Sequence, residues 1–355
     1  MIRRGASVLL AIALASSCGG TTGRAAPAAN ATNPTTPTPT ATPLIDVNDM
    51  MGAFPPATFF VSTKDGIKAI ALLNHATRYT IPTATDVQVA AAGASNRVYV
   101  LDQVNDGARL RWFDIDNGTE RASRVIAGAS VVSTNIGHGS LAIDDTTGVA
   151  YALLHEQGGI VTEAFDWFTL KPAGGVLPAM ACPSRVLAGG GRVAAVCLRD
   201  GVVHVNAGGV LAKAAAPFSF VGAAMLGDGT LVAGAEDGRL ARLGRDGTAF
   251  ELVNTLKDYG AKLIPDGIAV NAGCCFYYGI VDPRANDVQV RNVAGGTMLI
   301  AFPEVSQPTG GMFVQAPFAY FVINGRARHV DIQQGFGEVM ADLGPSALPG
   351  AVSNR

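Results

Sequence analysis

The sequence predicts an all-β protein, a seven-bladed β-propeller closed by a C-terminal inner strand. Three observations carry this reading. Short apolar runs recur at near-even spacing, Gly/Asp/Asn turns separate them, and a spare strand pattern stands at the C-terminus. The runs lie at 58–62, 97–101, 148–152, 192–196, 230–234, 274–278 and 317–321, and their starts are 39, 51, 44, 38, 44 and 43 residues apart. A period near 40–45 with four short strands per unit is the mark of a propeller blade. After residue 54 no window carries a 3.6-residue apolar period. Six or eight blades are the alternatives to seven.

The chain begins with a processing signal. Arg3 and Arg4 form a charged n-region, residues 8–15 an apolar h-region, and Ser16 and Ser17 precede Cys18. Eight apolar residues are too few to span a bilayer, which takes roughly 20 in a helix. Leu14-Ala15-Ser16-Ser17-Cys18 resembles the lipobox of bacterial lipoproteins. That resemblance implies cleavage after residue 17 and lipidation of Cys18, and so a membrane anchor at the cell envelope on the extracytoplasmic side. Ala15 departs from the commoner Leu or Val. Gly19 is not the Asp that holds enteric lipoproteins at the inner membrane. Residues 18–53 then form the lipidated Cys and a disordered Thr/Pro/Ala-rich tether; Pro34, Pro37, Pro39 and Pro43 favour extended backbone. Residues 44–53 have no assigned role. The domain division is 1–17 signal peptide, 18–53 anchor and tether, and 54–355 propeller.

The second unit shows how each blade is built. Residues 86–91 form the inner strand, 97–101 the next, 109–116 the third and 120–126 the outer one. Asp-Gly and Asn-Gly turns at Lys64-Asp65-Gly66, Asn117-Gly118, Glu236-Asp237-Gly238 and Arg245-Asp246-Gly247 supply the positive φ of tight hairpins. The first unit opens directly on its second strand, while residues 347–353 carry an inner-strand pattern with no blade to follow. Pairing 347–353 beside 58–62 completes the first blade and removes the free edges of an open ring.

Asn96-Arg97-Val98-Tyr99-Val100, followed by Arg111-Trp112-Phe113-Asp114-Ile115-Asp116, resembles the YVTN type of propeller repeat, a WD40-like family. In that family the inner strand opens with Pro-x-Gly. Ile264-Pro265-Asp266-Gly267-Ile268 and Leu348-Pro349-Gly350-Ala351 resemble it, the second without the spacer residue. The resemblance implies the architecture rather than an activity.

Little in the sequence points to chemistry. Charged residues are 15% of the chain and the net charge is −2, with no basic block, which excludes nucleic-acid binding through a phosphate footprint. P-loop, G-x-S-x-G and H-E-x-x-H patterns are absent. Of the five histidines, His204 lies inside a strand, and His75 and His329 read as solvated. His138 precedes the third unit's inner strand, and His155-Glu156 ends its second strand, so all three belong to one rim. Asp102, Asp258, Asp266, Asp282, Lys262 and Arg284 share equivalent loops. His138, His155 and Glu156 are therefore the candidate catalytic residues. No metal or cofactor is expected. Cys182 and Cys197 flank a hairpin turning at Gly189-Gly190-Gly191 and are a candidate disulfide; Cys274-Cys275 point to opposite faces of a strand, and a vicinal disulfide is the strained alternative to free thiols.

Two functions fit. The first is a lipid-anchored, non-catalytic binding or scaffold platform for a protein or envelope partner. The alternative is a propeller-type hydrolase, lactonase or lyase, or a small-ligand binder, working in the central funnel through His138, His155 and Glu156.

Overall fold

The computed structural model describes residues 58–353 apart from 73, 93–94, 133–137, 245–246, 256–260, 272–274, 304–305, 307, 316 and 333–336. The expectations for the signal peptide, Cys18, the tether, the turn at 245–246, Asp258 and Cys274 fall outside these residues.

Seven antiparallel sheets form a ring, and no α-helix occurs among the described residues. From blade 1 to blade 7 the innermost strands are Leu348–Ser353, Thr85–Ala92, Leu141–Asp144, Arg185–Gly189, Gly222–Met225, Lys262–Asn271 and Met312–Gln315. Each inner strand packs beside those of the two neighbouring blades, so the circle is complete. Blade 3 departs from the simple unit. Its inner edge is split, with Ser130–Val131 pairing the end of Val149–Glu156 and Leu141–Asp144 pairing its beginning.

The burial pattern explains why the second strand of each unit is the easiest to read. In blade 2, Arg97–Val104 lies between two neighbouring sheets. Val98 and Val100 join the apolar cluster against blade 1, while Tyr99 and Leu101 join the one against blade 3. A strand buried on both faces reads as a continuous apolar run. The outer strand Glu120–Ala127 has one wet face and alternates. Seven such clusters occupy the seven junctions between blades. The 2–3 junction adds a cation–π staple: the Arg97 guanidinium lies 4.7–4.9 Å from the rings of Trp112, Trp167 and Phe168.

The ring closes as the sequence predicts. Leu348–Ser353 runs antiparallel to Thr58–Thr63, with Thr58 opposite Ser353, Phe60 opposite Ala351 and Ser62 opposite Leu348. The register slips between Phe60 and Val61, which passes over Gly350. A Cβ on Gly350 would stand 2.9 Å from the Val89 side chain, so only glycine lets this strand lie against blade 2. Cys182 and Cys197 are joined by a disulfide with Cα atoms 5.3 Å apart. It ties the approach to blade 4's inner strand to the end of that blade's second strand, Arg192–Cys197. Cys275 is also disulfide-bonded.

Removing residues 346–355 should strip blade 1 of its inner strand and expose the edge of Thr58–Thr63. The expected result is a broadened urea transition with aggregation on concentration. A truncated protein that unfolds at the wild-type midpoint with the wild-type slope contradicts this dependence.

Candidate functional site

The inner strands surround a central cavity of about 530 Å³. Its wall is made of small and apolar side chains, among them Ala90, Ala223, Ala269, Val314 and Ala351. Polar groups converge where the inner strands begin, and blade 6 starts the arrangement. There Leu263 pairs with Ile280, and the next pair is Ile268 with Tyr278, so residues 264–267 bulge opposite Gly279. Asp266 takes a φ of 59° at the crest, and Gly267 lies so close to Ile264 that a Cβ would meet its carbonyl oxygen at 2.7 Å. The Asp266 N–H donates to the Val221 carbonyl at 2.7 Å. The bulge delivers the Asp266 carboxylate into the ring with 3% exposure.

Two side chains meet it there. Arg185, at the start of blade 4's inner strand, brings Nη1 to 2.5 Å from Oδ1 and is itself only 3% exposed. His138, at the approach to blade 3's inner strand, brings Nε2 to 2.8 Å from Oδ2. Both are close ion-pair contacts, off the alignment of a strong hydrogen bond. His138 Nε2 also lies 3.2 Å from the Gly310 carbonyl, and Nδ1 lies 3.4 Å from Arg185 Nη1. Nε2 thus faces two acceptors and Nδ1 faces a group that only donates. Phe313 of blade 7 packs edge-on against the ring at 4.7 Å. A Cβ on Gly311 would come within 2.8 Å of the Asp266 carbonyl. Blades 3, 4, 6 and 7 therefore meet at one carboxylate. Burial by itself pushes that carboxyl up; the Arg185 charge, then His138, more than offset it and hold it below the ordinary carboxylate range.

His155 and Glu156 occupy another place. They end Val149–Glu156 opposite Ile160 and Gly159, both exposed, and neither lines the cavity that His138 lines. Glu156 bears instead on Glu163, whose carboxyl is raised by burial and then by the Glu156 charge. Of the other rim residues, Asp102 is fully buried and held by Arg109 at 2.7 Å and Arg111 at 3.1 Å. Asp282 accepts the Arg284 N–H in a turn, and Lys262 pairs with Glu236 on the surface. His204 is half-buried opposite Lys213, and burial, then that charge, lower its pKa. His329, read as solvated from the sequence, is only 6% exposed. It lies opposite Tyr320 on the face that meets blade 1. Burial, then the nearby His75, push its pKa down.

His138 and Asp266, predicted to share one rim, meet here, and Arg185, which no motif marks in the sequence, joins them. The signal available was an arginine heading the otherwise apolar strand Arg185–Gly189.

No protein-family profile matches the chain, and a sequence comparison with curated proteins finds no match. Many solved structures share the fold. U3-55K superposes with a TM-score of 0.53 at 12% identity, over 75% of this chain and 84% of that one. The computationally designed Ika8 protein gives 0.51 at 16%, over 83% and 86%. The dihydro-heme d1 dehydrogenase NirN gives 0.52 at 12%, over 80% and 64%. At these identities the likeness is one of fold, and it establishes the β-propeller.

Arg185→Met should lower stability by about 3–5 kcal/mol, because it leaves a buried carboxylate without its main counter-charge. Arg185→Met with Asp266→Leu should recover much of that loss in urea unfolding. Equal losses in the single and double variants contradict the pairing. The lowered pKa of Asp266 has a definite sign. Its contribution is present above the unfolded-state value of about 3.9 and is lost as pH falls through the lower folded value. Asp266→Asn should therefore flatten the acid limb of the stability curve below about pH 4. An unchanged limb contradicts the assignment.

Proposed function

We propose that this protein is a lipid-anchored β-propeller of the cell envelope, acting as a non-catalytic binding platform for a protein or other envelope partner. One observation carries the reading: the polar groups that converge in the ring are used on one another. Asp266 is neutralised by Arg185, and both nitrogens of His138 face groups of the cluster. A general base needs a nitrogen free to take a substrate proton, and this histidine is held in a structural lock. The remaining candidates, His155 and Glu156, stand exposed on the rim, where a partner reaches them. The lipobox-like sequence at Cys18 and the long tether suit a domain held off a membrane surface. No helix among the described residues is long and apolar enough to cross a membrane. Repeats resembling the YVTN type support kinship with that propeller family.

A second reading has its own support. The central cavity has the volume of a small-molecule site and a largely apolar wall. The solved structures that share the fold include enzymes, NirN and the hydrazine synthase of Kuenenia stuttgartiensis among them. A small apolar ligand held in the ring is the form of this reading that the lining favours.

Photo-crosslinking in cells separates the two. A crosslinking residue placed at Glu156 or Arg284 should give an adduct with one envelope partner, and the same residue at Leu211 on an outer strand should not. Absence of rim adducts, together with saturable binding of a small apolar ligand blocked by Ala223→Phe in the cavity wall, overturns the platform reading. The anchor has a separate test. Cys18→Ala should release the protein from membranes or leave its signal uncut. Tight membrane retention of a processed Cys18→Ala chain contradicts lipid anchoring.

A further inference from the structure

We propose that His75, His329 and Glu338 form a site for a divalent transition metal, zinc by its ligand chemistry, which ties the last blade to the first. The three residues come from both sides of the junction where the ring closes. His329 and Glu338 are directly opposed across the two outer strands of blade 7, Arg326–Asp331 and Gly337–Asp342. His75 belongs to blade 1, in the turn between Gly66–Ala71 and Thr77–Ile81. About 250 residues of chain separate it from His329.

The distances fit an ion between the side chains better than direct contacts. His75 Nε2 lies 3.7 Å and His329 Nε2 lies 3.9 Å from the same Glu338 oxygen, Oε2. Both are too long for hydrogen bonds. One ligand atom from each residue falls within 4.8 Å of the others. Zinc bonds of roughly 2.0–2.2 Å in a tetrahedron put neighbouring ligand atoms about 3.3–3.5 Å apart. At the glutamate contacts a contraction of a few tenths of an ångström reaches that spacing, and Glu338 is long and exposed enough to supply it; the two imidazole nitrogens lie within 4.8 Å of each other.

The histidines are also held in place with their hydrogen-bonding capacity unused. Among the described residues, neither ring makes a hydrogen bond. Phe318 packs against the His329 ring at 5.1 Å, and the His75 ring meets it edge-on at 5.1 Å. His75 has a φ of 57°, in a turn fixed by Ala71 N–H donating to the Ala76 carbonyl and by Asn74 Oδ1 accepting from Ala76 N–H. Two imidazoles and a carboxylate are a zinc ligand set, and they leave one coordination position for water. With the disulfide between Cys182 and Cys197 formed, those sulfurs are not available as thiolate ligands.

The test uses the untagged, signal-processed full chain, stripped of metal with a chelator and dialysed. Titration with zinc against a chromophoric chelator should show one equivalent bound per chain. Zinc should also raise the urea midpoint, because it binds the closed ring and not the opened one. Cobalt substitution should give the visible absorption of a tetrahedral site. His75→Ala lies in a surface turn and should keep the fold while lowering zinc affinity at least tenfold and abolishing the midpoint shift. Glu338→Gln should lower affinity in the same direction. Substoichiometric binding to the wild type overturns the proposal. So does one equivalent bound with equal affinity and equal midpoint shift by wild type and His75→Ala.

Discussion

The pairing of Leu348–Ser353 with Thr58–Thr63 is the interaction on which the rest of this structure depends. Each blade has two apolar faces, and each face is buried only by a neighbour. Blade 1 meets blade 2 through Phe60, Ile67 and Ala69, and blade 7 through Phe59, Val61 and Ile70. Without closure, both terminal blades would show water a face built for a core. The last strand therefore satisfies more than a hydrogen-bonded edge. It sets Phe59 and Phe60 on opposite sides of one sheet and commits each to its cluster. Chain entropy permits this, because the cost of closing a long loop grows only logarithmically with its length.

Closure also dictates what the centre can be. Seven inner strands converging on an axis leave room for small side chains, which explains the alanines at 90, 223, 269 and 351 along the wall. A polar side chain entering that space must bring its partner. Asp266 does so because its backbone bulges: proline before it, glycine after it and a φ of 59° turn its carboxylate inward. Asp86 makes an informative contrast. It too has positive φ at a register slip in an inner strand, that of blade 2, yet it is exposed. The bulge alone does not bury an aspartate. In blade 6 the guanidinium of Arg185 and the ring of His138 compensate the burial. Such a cluster is weak evidence for added stability, but it specifies how blades 3, 4, 6 and 7 sit around the axis.

The fold was legible in the sequence because its determinants are local and repeated. Doubly buried second strands read as apolar runs, Asp-Gly turns mark hairpins, and Leu348-Pro349-Gly350-Ala351 stands out as a strand without a blade. The site was legible in part. Position along the repeat places His138 and Asp266 on one rim, since equivalent loops of a meander share an end. The same logic groups His155 and Glu156 with them, but a rim has a radius as well as a height. His138 lies against the inner strands, and His155 and Glu156 end a second strand, farther from the axis. Sequence spacing within one blade does not report that radial distance. Nor does it say which blades face each other across the ring, so Arg185 of blade 4 was not matched with Asp266 of blade 6.

His75, His329 and Glu338 lie further beyond local reading. His329 and Glu338 become neighbours only through the register of two outer strands, and His75 reaches them only because blade 1 follows blade 7 in the closed ring. His329 looks solvated by sequence, since Arg326, Arg328 and Asp331 surround it. Alternation along the strand instead turns it toward Tyr320 and the blade 1 interface. The same closure that buries Phe59 thus buries this imidazole. On the inner side, the chain passes from the end of blade 7 into Leu348–Ser353 and pairs there with Thr58–Thr63 of blade 1, a backbone pairing that needs no bound ion. Among the described residues no strand bridges blade 7 to blade 1 at the outer edge, and it is there that the three proposed ligand side chains converge. A metal at that point would constrain the splay of the two blades on the side away from the closing strand.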